Sequence, residues 1–136
     1  MQPPSVLVAW VGSTDLRAPA EENAVGVGPI AQAVAARNFD EIVLLSDFER
    51  SAVEPYLKWL RTRSSSEVRV EYRPLTGPTN FGEIYRHAVE ALEGIVRAHG
   101  GAVRLVLHLS PGTPAMAAVW ILVAKTRFPA ELIESS

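Results

Sequence analysis

Short continuous apolar runs alternate along this chain with longer stretches whose apolar residues recur every three or four positions. The first run, Ser5 to Val11 (SVLVAWV), ends at Gly12, and Glu41 to Leu45 and Val103 to Leu109 are two more. Runs of this length without polar alternation predict strands buried on both faces. Val68, Val70 and Tyr72 alternate instead with Arg69, Glu71 and Arg73. That pattern predicts a strand with one wetter face, at or near a sheet edge. Glu131 to Glu134 (ELIE) predicts a last strand.

The helical stretches lie between these runs. Pro29 to Asn38 predicts a short helix with proline in its first turn. Val53, Tyr56, Leu57 and Leu60 share one helical face, and Ser51 with Glu54 has the spacing of a capping box, with Asp47 as an alternative cap. Phe81, Ile84, Tyr85, Ala88, Leu92 and Ile95 mark the longest amphipathic helix. Asn80 and Glu83 suit its start, and Gly100-Gly101 ends it. Pro114 to Arg127 forms the final helix, stopped by Phe128-Pro129. Gly12 to Arg17 and Pro19 to Gly28 read as loops, the second rich in Glu, Asn and Gly.

Strands and helices therefore alternate, which predicts an α/β, Rossmann-like, doubly wound fold: a mainly parallel five-stranded sheet with helices on both faces. Ligands of such sheets bind outside the carboxyl ends of the strands, at the topological switch point. Here the switch is expected between the first and fourth strands, so Gly12 to Arg17 and Ser110 to Thr113 would face one crevice. The second of these is the more pointed. Thr113 can cap a helix with its hydroxyl, Pro114 suits the first helical position, and Gly112 allows close backbone approach. A helix start of this kind suits an anion, most often a phosphate.

Composition narrows the picture. A chain of 136 residues, 48% apolar and 21% charged, fits one globular domain. Thirteen basic and 15 acidic residues give a formal net charge of −2. That balance argues against direct DNA binding through a broad basic surface. There is no cysteine, hence no disulfide, thiolate metal site or cysteine nucleophile. No signal peptide or membrane-spanning run is visible, so a cytoplasmic location is expected. His87, His99 and His108 lack the spacing of a metal helix, and His108 reads as a hydrogen-bonded core histidine. No catalytic residue, metal or cofactor is assigned.

The last helix, Pro114 to Ala124, carries no polar side chain before Lys125. A helix apolar all round needs cover beyond its sheet-facing side. This predicts a homodimer through helix 114–127, with Met116, Ala117, Trp120, Ile121 and Ala124 at the interface. Ending on an apolar strand also suggests that residues 1–136 are one domain of a longer chain. Other side chains admit two readings. Asp15 could hold a ribose hydroxyl or close a turn. Asn80 could read a base edge or cap its helix. Arg17 could pair a phosphate or stand free in solvent.

The segment His108-Leu-Ser-Pro-Gly-Thr-Pro-Ala-Met116 resembles the signature turn of CARF (CRISPR-associated Rossmann fold) domains. The whole chain looks closer to the N-terminal domain of RtcR-like sigma-54-dependent transcription activators. Val11-Gly12-Ser13-Thr14, Asn80-Phe-Gly-Glu-Ile-Tyr85, Gly112-Thr113, Trp120-Ile-Leu-Val-Ala124 and Ala130-Glu-Leu-Ile-Glu-Ser-Ser136 carry that resemblance. It implies a sensory domain placed before an AAA+ ATPase and a helix-turn-helix domain, answering to an RNA end or oligonucleotide and controlling an RNA-repair operon. Other CARF domains bind cyclic oligoadenylates across a dimer axis, and some cleave them. Carried over by position, the pocket would use Gly12, Ser13, Thr14, Ser110, Gly112, Thr113 and Met116. With Asp15, Asn80 and Pro111 these are the candidate ligand-binding residues. Pro111 and Pro114 stand where many CARF turns carry Gly and Lys, so a lysine phosphate donor is missing. Ring-nuclease activity and plain dimerisation are the alternatives to sensing.

Overall fold

Each of the five runs forms a strand: β1 (Ser5–Trp10), β2 (Glu41–Ser46), β3 (Glu67–Tyr72), β4 (Arg104–His108) and β5 (Ala130–Ile133). In this computed structural model, which describes residues 2–135, they make one sheet in the order β3-β2-β1-β4-β5. Every pairing is parallel. The fold is therefore the expected α/β Rossmann-like one, with the switch between β1 and β4. Ser136, the end of one resembling block, lies outside the described residues.

Strand order follows from burial. All of β1 is buried, as are four of the five residues of β4. The alternating strand β3 takes one edge, where Arg69 and Arg73 reach Glu71 at 2.6 and 2.8 Å on the wetter face. Successive β1 side chains feed two separate cores. Val6, Val8 and Trp10 pack with α4 (Phe81–Ala98) and α5 (Pro114–Thr126). Leu7, Ala9 and Val11 pack on the other face with α2 (Gly28–Ala36) and α3 (Arg50–Arg61).

Three expectations are corrected. The stretch read as two loops is largely a helix, α1 (Ser13–Val25). It carries no apolar stripe and is held at its start instead: the Leu16 N–H donates to Gly12 O (3.2 Å), and the Asp15 carboxylate accepts from the Gly12 N–H (2.9 Å). Arg17 pairs with Glu21 at i,i+4 spacing (3.0 Å) rather than waiting for a phosphate. Pro19 cannot donate to the preceding turn, and the helix kinks at Glu21 (φ −129°, ψ 30°). Secondly, α3 starts after Glu49 without a side-chain cap, so Ser51 sits inside the helix. Asp47 instead accepts from the Leu75 N–H at 2.7 Å. Thirdly, Met116 and Trp120 are 3% and 0% exposed and belong to the core between α5 and the sheet. They cannot reach a partner. The outward face of α5 is Ala118, Ile121 and Leu122, with Ala117 and Ala124 half-buried beside it.

Candidate functional site

Parallel register from Ser5↔Arg104 to Val8↔Leu107 makes β1 and β4 end side by side. Their following loops meet through glycine. A Cβ on Gly12 would lie 2.8 Å from the Gly112 nitrogen, so nothing larger fits without parting the two backbones. Gly112 has φ +88°, and a Cβ there would meet Met116 Sδ at 2.6 Å. The turn from Ser110 to Thr113 therefore needs its glycine for both conformation and space.

Thr113 caps α5 as expected. Its hydroxyl accepts from the Met116 N–H (3.4 Å) and donates to Pro78 O (2.8 Å). The Thr113 N–H points back at Met116 Sδ (3.4 Å). Pro114 has no N–H, so no donor is wasted at the first position. The first turn of α5 carries no acidic residue of its own, and the nearest carboxylate lining its cleft is Asp47 on the loop after β2.

The start of α1 differs. Asp15 is 0% exposed, and its two oxygens accept from the Gly12 N–H (2.9 Å) and the Ile30 N–H (3.2 Å). One carboxylate thus bridges the first turns of α1 and α2. Burial pushes its pKa up to about 6, against the pull of those backbone hydrogen bonds. Gly28 (φ +83°) makes room for it, since a Cβ there would come within 2.9 Å of Asp15 Oδ1. Asp15 therefore closes the loop from beneath and does not reach out to a ribose. Ser13 and Thr14 are exposed on the same first turn, where N–H groups have no intrahelical acceptor.

His108 anchors the turn from below. Its Nδ1 accepts from the Ser110 N–H (3.2 Å), so Nε2 carries the proton and donates toward Pro29 O (3.1 Å) and Ser135 Oγ (2.9 Å). Burial lowers its pKa, which favours this neutral form. Both nitrogens are engaged, so His108 is the core histidine its position suggested and offers no base to the crevice. The Ser110 hydroxyl accepts from the Ser135 N–H at 2.7 Å, which ties the turn to the segment after β5.

Two small clefts of about 130 Å³ flank the glycine contact. One is bounded by Ser13, Thr14, Ser110 and Pro111. The other runs from Ser13, Gly112 and Thr113 to Asp47, Phe48 and Pro78, with Met116 behind. Of the candidate residues, Asn80 lies apart, capping α4 through an accepted hydrogen bond from the Glu83 N–H (3.1 Å). Glu83 turns to the Thr76 N–H (2.8 Å), so the box at this helix is only half made. Asp47, Phe48 and Pro78 were not signalled as site residues. The available hint was an aromatic residue two positions after a strand with an apolar centre, at the carboxyl edge beside β1. Among the described residues, no three His, Asp or Glu side chains cluster to hold a metal ion, and no helix is long and apolar enough to cross a membrane.

No protein-family profile and no curated protein matches the chain by sequence. Solved structures do share its fold. Csm6 of Enterococcus italicus, bound to cyclic hexa-2′-fluoro-hexa-dAMP, matches 99% of this chain with a TM-score of 0.81 and 16% identity. Can2 of Sulfobacillus thermosulfidooxidans, in complex with cyclic tetra-adenylate, matches 96% with a TM-score of 0.66 and 14% identity. The chain spans 34% and 32% of the lengths of those two proteins. Five parallel strands switching between β1 and β4 are thus an architecture this chain shares with a domain-sized part of each.

Proposed function

We propose that this chain is an oligonucleotide-sensing domain of the CARF kind. It would take a cyclic oligoadenylate or an RNA end carrying a cyclic phosphate. The observation that carries this reading is the crevice at the switch point, where two glycine backbones touch and the start of α5, with no acidic residue in its first turn, opens beside them. Likeness of fold to two proteins whose bound ligands are cyclic adenine oligonucleotides supports it. An anion here would meet backbone N–H groups, the Ser13 and Thr14 hydroxyls and the positive end of α5. Ring-nuclease activity at the same crevice, with Ser13, Thr14, Ser110 and Thr113 positioning a ribose hydroxyl, is the alternative. His108, with both nitrogens engaged, would serve neither reading as a base.

In this reading the outward apolar face of α5, with Ile121 and Leu122 at 43% and 39% exposure, pairs two copies of the domain. The turn and that face are parts of one helix, so a ligand that prefers one arrangement of the pair would shift the population toward it. In a longer chain of the RtcR-like type, that shift would release an AAA+ ATPase and so switch on an RNA-repair operon.

The test is direct. Labelled cyclic tetra-adenylate, cyclic hexa-adenylate and RNA ending in a 2′,3′-cyclic phosphate are each incubated with the protein. Binding is followed by calorimetry, turnover by chromatography and oligomeric state by light scattering. Saturable binding of one class to a dimer, without product, is expected. Product formation would make the domain a nuclease, and a dimer that binds none of the three would reduce it to a dimerisation module.

A further inference from the structure

Phe48 is a large apolar side chain left 38% exposed two residues after the buried strand β2. Its backbone is not loose. Ser46 Oγ accepts from the Phe48 N–H (3.0 Å) and donates to Phe48 O (3.3 Å), closing a tight local turn. Asp47 beside it is fixed by the Leu75 N–H, which donates to Oδ1 at 2.7 Å. The backbone that carries the ring is therefore held in place at the carboxyl edge of the sheet.

Its position says what the ring can meet. Asp47 and Phe48 line the cleft of about 130 Å³ that contains Gly112 and Thr113. They also line a larger cleft of about 320 Å³ at the ends of β2 and β3, bounded by Tyr72 and Pro74. The dipeptide is the wall shared by both. One side faces the anion-receptive start of α5. The wall itself offers a flat apolar surface and a carboxylate.

That pairing suits a nucleobase and not a phosphate. Asp47 and Glu49 bring two negative charges to the larger cleft. The one cation there, Arg50, lies over the Tyr72 ring (4.3 Å) and 3.9 Å from Glu54. An aromatic ring stacks any base, and a carboxylate accepts from a base that carries an amino group. Asp47 Oδ1 has one acceptor site taken by Leu75, and Oδ2 accepts from none of the described residues.

We infer that Asp47 and Phe48 form a base-reading wall. Phe48 stacks a base of the ligand whose phosphate sits at the start of α5, and Asp47 selects bases with an exocyclic amino group. This rests on the proposed sensing function and adds specificity to it. Neither residue makes a hydrogen bond to the glycine turn, so substituting them leaves that turn's geometry in place. Because Asp47 also lines the cleft at the start of α5, its readout is the preference between bases and not the affinity.

The experiment uses two adenine probes, cyclic tetra-adenylate and a short RNA ending in adenosine 2′,3′-cyclic phosphate. Each is paired with an analogue in which purine, lacking the 6-amino group, replaces adenine. Calorimetry compares the wild-type protein with Phe48→Leu, Phe48→Trp and Asp47→Ala, each checked to be fully folded at the temperature of the assay. Phe48→Leu keeps an apolar side chain but removes the ring, and should weaken binding roughly 10-fold or more. Phe48→Trp should restore it. Asp47→Ala removes both acceptor oxygens and should erase the preference for adenine over purine. Equal affinity in Phe48→Leu and wild type, or no preference for adenine in wild type, would overturn the wall and leave the sensor standing. Wild-type protein that binds neither adenine probe would overturn both.

Discussion

The two helix starts at the crevice differ in one charge. The first turn of α1 lies over the Asp15 carboxylate, which also holds the first turn of α2 through Ile30. The first turn of α5 is closed by neutral groups, the Thr113 hydroxyl and the Met116 sulfur. One helix end has its anion built in, and the other leaves its positive end for a guest. The lesson is that a short strand-to-helix turn is not a ligand site by shape alone. What counts is whether the fold has already supplied the negative charge.

The largest effect should come from removing that internal charge. Asp15→Ala leaves the buried Gly12 and Ile30 N–H groups without an acceptor, each costing about 1–3 kcal/mol. Urea unfolding at pH 7 should therefore show a loss of roughly 2–6 kcal/mol. Asp15→Asn isolates the charge itself. Burial raises the folded-state pKa of Asp15 to about 6, from 3.8, so the folded protein holds its proton more tightly than the unfolded chain. That contribution is complete below about pH 4 and is lost as pH rises through 6. A shift of about two units corresponds to roughly 3 kcal/mol. Asp40, held low by the Ser5 N–H, and Glu83, held low by the Thr76 N–H, push the other way. The readout is therefore the difference between wild type and Asp15→Asn, which should shrink as pH rises from 4 to 7. A constant difference would mean that Asp15 carries no such charge.

The same contrast decided what the sequence could reveal. The α5 start was legible because its parts are local: a capping Thr, a following Pro and a Gly free to take φ +88°. The strands were legible too: β1, β2 and β4 because a buried parallel strand is a continuous apolar run whatever surrounds it, and the edge strand β3 because it alternates. Helix α1 was not. Its stabilising carboxylate bonds across fifteen residues to Ile30, and its polar face carries no 3.6-residue stripe. Trp120 and Met116 misled for the opposite reason. In a helix with no polar side chain before Lys125, apolar pattern cannot separate the core face from the outward one. The Asp47–Phe48 wall was hidden because β2 and α5 approach only in the folded sheet, and because Asp47 so near a helix looked like its cap.

A smaller effect tests the glycine contact shared by the two turns. Gly112→Ala places a Cβ 2.6 Å from Met116 Sδ at φ +88°. The sulfur is the end of a flexible side chain and can move, so the backbone conformation sets most of the cost, about 1–2 kcal/mol. Chemical denaturation should show that loss. Binding of a phosphate-bearing probe should fall with it, because displacing Met116 disturbs the acceptor of the Thr113 N–H.

The smallest change in stability should accompany the largest change in binding. Thr113→Asp gives α5 what α1 already has, an anion at its first turn. Asp is as good an N-cap as Thr, and a charge at a helix N-terminus is stabilising by about 0.3–1 kcal/mol. The lost hydroxyl donor to Pro78 O, at 2.8 Å, offsets part of that gain. Thermal unfolding should therefore move by no more than about 1 kcal/mol in either direction. Affinity for cyclic tetra-adenylate or an RNA cyclic phosphate should nevertheless drop at least 10-fold, because the guest now meets a like charge at close range. Thr113→Asn keeps the cap without the charge and should retain most of the binding. If Thr113→Asp binds as well as Thr113→Asn, the start of α5 is not where the anion sits, and the difference between the two helix starts has no bearing on the ligand.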